Sequence, residues 1–76
     1  MVNKRLLNSK MALFGDTQQD LARAIGVNLA TLNAKINNKS MFNADEIITI
    51  KERYHLTPDE VDSIFFLALK YRKTTL

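Results

Sequence analysis

The sequence predicts an all-α domain of five short helices. Three observations carry that expectation. Apolar residues recur at helical spacing, a capping residue stands before most of the periodic stretches, and glycine or asparagine closes the first three. No stretch sustains period-two alternation, so strands are not expected.

The first helix rests on Leu7, Met11 and Phe14, spaced i, i+4, i+7 as one buried stripe, and should end near Gly15-Asp16. Thr17 then stands three residues before Asp20, a serviceable cap for a second helix carrying Leu21, Ala22 and Ile25. Gly26 breaks that helix, because the turn needs a backbone with positive φ. Asn28 can cap a third helix in which Leu32 and Ile36 stack one turn apart. Asn37-Asn38-Lys39-Ser40 reads as its end, with Asn38 tolerating the left-handed conformation. Asn43 and Glu46 resemble a capping box for a fourth helix containing Ile47, Ile50 and Tyr54. The clearest start is Thr57-Pro58-Asp59-Glu60: a cap, proline at the first helical position, and acids facing the helix dipole. Val61, Ile64, Phe65 and Ala68 follow at i, i+3, i+4, i+7, giving a C-terminal helix of about 58–72.

Composition bounds the function. Seventy-six residues hold one small domain, 1–76, without repeats, linkers or low-complexity tracts. With 46% hydrophobic and 25% charged residues of both signs, the chain is expected to fold rather than stay disordered. The absence of cysteine excludes disulfide scaffolds, zinc-thiolate sites and thiol catalysis, and fits a cytoplasmic location. The longest apolar run, Ile64 to Leu69, falls far short of the roughly 18 residues that span a bilayer. The N-terminus lacks the long apolar stretch of a secretory signal. Net charge is +3, unevenly spread. Residues 1–40 hold Lys4, Arg5, Lys10, Arg23, Lys35 and Lys39 against only Asp16 and Asp20, whereas residues 41–76 are nearly balanced. That asymmetry suggests one face that meets a polyanion, although basic solvated faces are common.

The informative stretch runs from Thr17 to Lys39. Two short helices meet at a tight glycine turn, small Ala22 lets them pack closely, and Leu21, Ile25, Val27, Leu32 and Ile36 face inward. This is the helix-turn-helix pattern, about 17–37, whose second helix enters a DNA major groove. With Leu32 and Ile36 buried, the opposite face carries Ala30, Asn33, Ala34 and Asn37. That surface is slim enough for a groove about 12 Å wide. Asn33 is the best base reader, because an amide pairs bidentately with adenine. Asn28, Leu29 and Ala30 lie at the helix N-terminus, where Leu29 and Ala30 offer only apolar contact, for example to a thymine methyl. Gln18, Asn37 and Lys39 would bind phosphates and fix register.

The segment resembles the helix-turn-helix of the lambda-repressor/Cro-like superfamily, and the whole chain resembles small phage and prophage Cro-like transcriptional regulators. The resemblance rests on Gly15-Asp16-Thr17-Gln18, on Leu21-Ala22 with Gly26-Val27, and on Lys35-Ile36-Asn37. Leu56-Thr57-Pro58-Asp59-Glu60-Val61 and Ile64-Phe65-Phe66 are softer matches. It covers roughly residues 5–68 and implies a compact five-helix lambda-repressor-like DNA-binding domain in a bacterial host cell. By position it implies a phosphate held by Gln18, base reading from Leu29, Ala30 and Asn33, and phosphate contact near Asn37 and Lys39. Family members often carry polar side chains where this chain has Leu29 and Ala30, which shifts weight to Asn28, Thr31 and Asn33. The expected partner is a double-stranded DNA operator, with no cofactor, metal, membrane or small-molecule substrate.

Each feature also has a plainer reading. Leu21, Ile25, Leu32 and Ile36 would suit any small helical core. Lys39 suits a helix dipole, and the Lys70-Tyr71-Arg72-Lys73 tail suits a solvated helix end. His55 has no cysteine or second histidine to share a metal. Asp45-Glu46 and Asp59-Glu60 sit at helix starts, where capping accounts for them, and no nucleophile–base constellation is present, so the chain is not read as an enzyme. Phe66 and Leu69 point away from the Ile64/Phe65/Ala68 stripe. They either pack under the first helix or form a homodimer or partner surface. A dimer would space two recognition helices one DNA turn apart. The rival to DNA binding is an antirepressor that keeps the fold and occupies a partner repressor, favoured by the apolar Leu29/Ala30 pair and by Phe66/Leu69.

Overall fold

Every helix begins where a side chain accepts a hydrogen bond from an otherwise orphaned amide. In the computed structural model, which describes residues 1–65, those helices are α1 (Lys4–Leu13), α2 (Gln18–Ile25), α3 (Leu29–Ile36), α4 (Ala44–Arg53) and α5 (Pro58–Phe65). No strand occurs among the described residues. Asn3, Thr17, Asn28 and Asn43 cap the first four by accepting from the amide three residues on. At Thr17, Asn43 and Thr57 the bond is reciprocal, with Asp20, Glu46 and Glu60 reaching back to the cap amide at 2.9 Å. The anticipated caps are all in place, and Asn3 adds one to α1 that periodicity alone did not suggest.

The first four helices stop by a common device. Gly15, Gly26, Asn38 and His55 adopt left-handed backbones, with φ of 71°, 78°, 63° and 50°. The amides around each turn back onto the last carbonyls. Gly26 N–H donates to Arg23 at 3.2 Å and Val27 N–H to Ala22 at 3.0 Å, while Asn38 N–H donates to Lys35 at 3.3 Å and Lys39 N–H to Ala34 at 2.8 Å. His55 was not anticipated here, since histidine, although enriched among the few non-glycine residues at positive φ, stands there far less often than glycine. At Gly26 a Cβ would meet nothing within 4 Å, so only backbone strain opposes a substitution. Gly26→Ala is therefore expected to cost about 1 kcal/mol in urea denaturation, the left-handed penalty less the entropy alanine removes from the unfolded chain.

The core forms where the apolar stripes meet. Leu7, Leu21, Leu32, Ile36, Ile50 and Ile64 are fully excluded from solvent. In the packing, α2 lies against both α3 and α4, and α1 lies against α5. Ile25, Val27 and Ile47 are only partly buried against this core. Phe42 and Leu56, absent from the sequence expectation, are buried. Phe42 meets Phe65 edge-on with ring centroids 5.5 Å apart. Phe14 corrects the first stripe: α1 ends at Leu13, and the Phe14 ring is 44% exposed. It lies 5.4 Å from the ring of Tyr54 and 5.8 Å from that of His55. Phe66, Ala68, Leu69 and the basic tail lie outside the described residues, as does the expected continuation of α5 toward residue 72.

Candidate nucleic-acid interface

The α2–α3 pair is joined by only Gly26, Val27 and Asn28. Ala22, buried on the inner side of α2, leaves room for the close approach, and Leu32 and Ile36 turn inward from α3. An eight-residue helix is about 12 Å long, so α3 presents a short rod with one outer face. Asn28, Leu29 and Ala30 are exposed at its N-terminal end, and Thr31 and Asn33 are half-buried. Asn37 and Lys39 are exposed at its other end, and Gln18 is half-buried at the first position of α2. The eight residues expected to contact DNA are therefore spread over two helix starts and one helix end.

Hydrogen bonding sorts these side chains by what they have left to offer. The Asn28 carbonyl oxygen accepts the Thr31 amide at 2.7 Å, which leaves only its amide N–H groups free. Asn37 donates to the Asn33 backbone carbonyl at 2.8 Å and accepts from Lys4 Nζ at 2.8 Å. By contrast, the side-chain amides of Asn33 and Gln18 have no hydrogen-bond partner among the described residues, and the polar atoms buried in this region are all satisfied. Lys39 has no ion pair among the described residues. Lys35, which belongs to the sequence motif, is consumed by the fold. It pairs with Glu46 at 3.0 Å, donates to the Met41 carbonyl at 2.9 Å and lies over the Phe42 ring.

The start of α2 is held from behind by a cluster the sequence reading did not anticipate. Asp16 accepts two bonds from Arg53, at 2.5 and 2.9 Å, and one from the Tyr54 hydroxyl at 2.7 Å. The Arg53 guanidinium holds the Asp16 carboxyl below its usual range, with Tyr54 assisting against the cost of burial. Burial and the neighbouring carboxylate push the Tyr54 hydroxyl well above its ordinary value. Elsewhere, Lys10 forms an ion pair with Glu60, tying α1 to α5 and lowering the Glu60 pKa. Asp20 is lowered chiefly by the Thr17 backbone amide it accepts, and pairs loosely with Arg23 at 3.7 Å. Among the described residues no group of acids and histidine could hold a metal ion, and no helix is long and apolar enough to cross a membrane. Neither a protein-family model nor a curated protein matches the chain.

Proposed function

We propose that this domain is a sequence-specific DNA-binding regulator of transcription that works as a Cro-like repressor. In this reading α2 and α3 act as a helix-turn-helix, with α3 in the major groove and Gln18 on the backbone. The observation that carries it is the unengaged amide of half-buried Asn33, set on a helix face whose exposed positions are the small Ala30 and the capping Asn37. A slim face with one free bidentate amide suits adenine, which offers N7 and N6 side by side. Leu29 and Ala30 would supply apolar contact, Asn28 and Thr31 further polar contact, and Lys39 and Asn37 would hold phosphates. Occupying an operator then blocks or redirects polymerase without any chemical step. The same reading takes the protein to be a phage or prophage regulator, cytoplasmic and bound to the nucleoid when on DNA.

The test is selection of binders from a randomised duplex library at moderate salt. A two-fold-related motif with half-sites about 10 bp apart would mark an operator-binding dimer. Asn33→Ala is expected to weaken the selected duplex about tenfold and to relax preference at one position, read by fluorescence anisotropy. No enrichment with folded protein would overturn the proposal.

One observation favours the second reading, an antirepressor that binds a partner repressor: Leu29 is 40% exposed at the tip of α3. Salt separates the two, since phosphate contacts weaken steeply as salt rises and an apolar interface does not.

A further inference from the structure

The first residues of the chain are fastened to the far end of α3. Val2 N–H donates to the Asn38 side-chain carbonyl at 2.6 Å, and the Asn38 amide returns a bond to the Val2 carbonyl at 3.3 Å. This two-bond pairing copies what a neighbouring strand would do. Two residues on, Lys4 Nζ reaches Asn37 Oδ1 at 2.8 Å. Asn3 N–H donates to the Ile64 carbonyl at 2.7 Å, so the segment is held on its other side by α5. Asn38 thus does two things at once. Its left-handed backbone ends α3, and its side chain orders a segment 36 residues away.

The electrostatic consequence falls on Lys4. Its partner is a neutral amide, and among the described residues it has no acidic neighbour in ion-pair range. An ammonium group has three donors, and Asn37 takes one. Lys39, exposed and likewise without an acidic partner among the described residues, follows Asn38 directly. Of the other cations in the N-terminal half, Lys10 and Lys35 are neutralised within the fold and Arg23 pairs loosely with Asp20, while Arg5 is exposed without an acidic partner among the described residues. Lys4 and Lys39 are thus two of the three cations of that half left unpaired there, and both stand where the N-terminal segment meets the end of α3.

We infer that Lys4 is a further backbone-phosphate ligand, set beside the end of α3 by Asn37 and held there by the Asn38 pairing with Val2. This inference rests on the DNA-binding reading and extends it to a residue outside the two-helix motif. The ligand is a nucleic-acid phosphate, and the contact carries affinity rather than sequence preference. The alternative role for a cation at this position is to complement the α3 dipole, which would stabilise the fold and leave binding alone.

The experiment compares wild type, Lys4→Gln, Lys4→Arg, Asn38→Gly and the Lys4→Gln/Asn38→Gly double variant on a library-selected duplex and an unrelated one, across 50–200 mM KCl. Asn38→Gly keeps a residue suited to the left-handed turn and removes only the side-chain pairing. If Lys4 binds a phosphate, Lys4→Gln weakens both duplexes alike and lowers the salt slope by about 0.9. The gap from wild type then narrows about threefold over that salt range. Lys4→Arg restores the slope, and Asn38→Gly weakens binding but adds nothing on top of Lys4→Gln. A Lys4→Gln protein with the wild-type slope overturns the inference while leaving the proposed function intact, whether or not its melting temperature falls. Wild type that binds neither duplex overturns both.

Discussion

Replacing Leu32 with alanine is expected to remove about 3–4 kcal/mol of stability. Leu32 is fully buried and belongs to the helix that carries the proposed base contacts. Its side chain meets the core from α3, which is only eight residues long and would not persist alone in water. A chain of this size has roughly 4–11 kcal/mol to lose, so the variant stands near its unfolding threshold. Urea denaturation followed by circular dichroism should show an earlier midpoint and reduced helicity at 37 °C. DNA binding should fall with the folded fraction, unlike Asn33→Ala, which should bind weakly while fully folded. A loss under about 1 kcal/mol would mean that α3 is not held through Leu32.

These two residues sit one position apart in the sequence and serve opposite ends. That division extends along the whole candidate surface. Side chains at helix ends are largely spent on folding: Asn28 on a cap, Asn37 on the Asn33 carbonyl and Lys4, Lys35 on Glu46. What remains to meet a ligand is a small set, chiefly Asn33, Gln18, Lys39 and the two spare donors of Lys4. A surface rich in amides is therefore less rich in available groups than its composition suggests.

The same distinction explains what could be read from the sequence. Caps act over three residues, so Thr17 with Asp20, Asn43 with Glu46 and Thr57 with Glu60 were legible as pairs. The helix faces were legible too, because a period of 3.6 fixes which residues share a side. What escaped was non-local. Asp16 and Arg53 lie 37 residues apart, Val2 and Asn38 36, and Lys4 and Asn37 33. No spacing rule links such pairs. Phe14 was misplaced because periodicity continues past the point where Gly15 ends the helix. The buried Phe42 was missed because it stands in a connection with no period of its own.

The most consequential of the non-local contacts is the one at Asp16. Asp16→Asn is expected to cost about 2 kcal/mol at neutral pH. The carboxylate serves three donors with two oxygens, and an amide offers one acceptor and turns an N–H toward the guanidinium. Tyr54 is almost wholly buried, so its hydroxyl would be left competing with Arg53 for that single oxygen. The pH dependence gives the substitution a signature. Because the Asp16 pKa is lowered in the fold, its contribution is fully present above the unfolded value of about 3.9 and is lost as pH falls through the lower folded value. Wild type should therefore lose stability in acid more steeply than Asp16→Asn. The two should converge toward pH 2, with the remaining slope belonging to Glu60 and Asp20, whose carboxyls are also lowered. Thermal melts at intervals between pH 2 and 7 would display this as two curves that meet at the acid end. Parallel curves would mean that Asp16 is not held as a carboxylate by Arg53 and Tyr54. Because Asp16 immediately precedes Thr17 and Gln18, the same variant should also loosen the start of α2. DNA affinity would then fall at neutral pH by more than the unfolded fraction accounts for, linking the anchor behind α2 to the phosphate contact proposed at its tip.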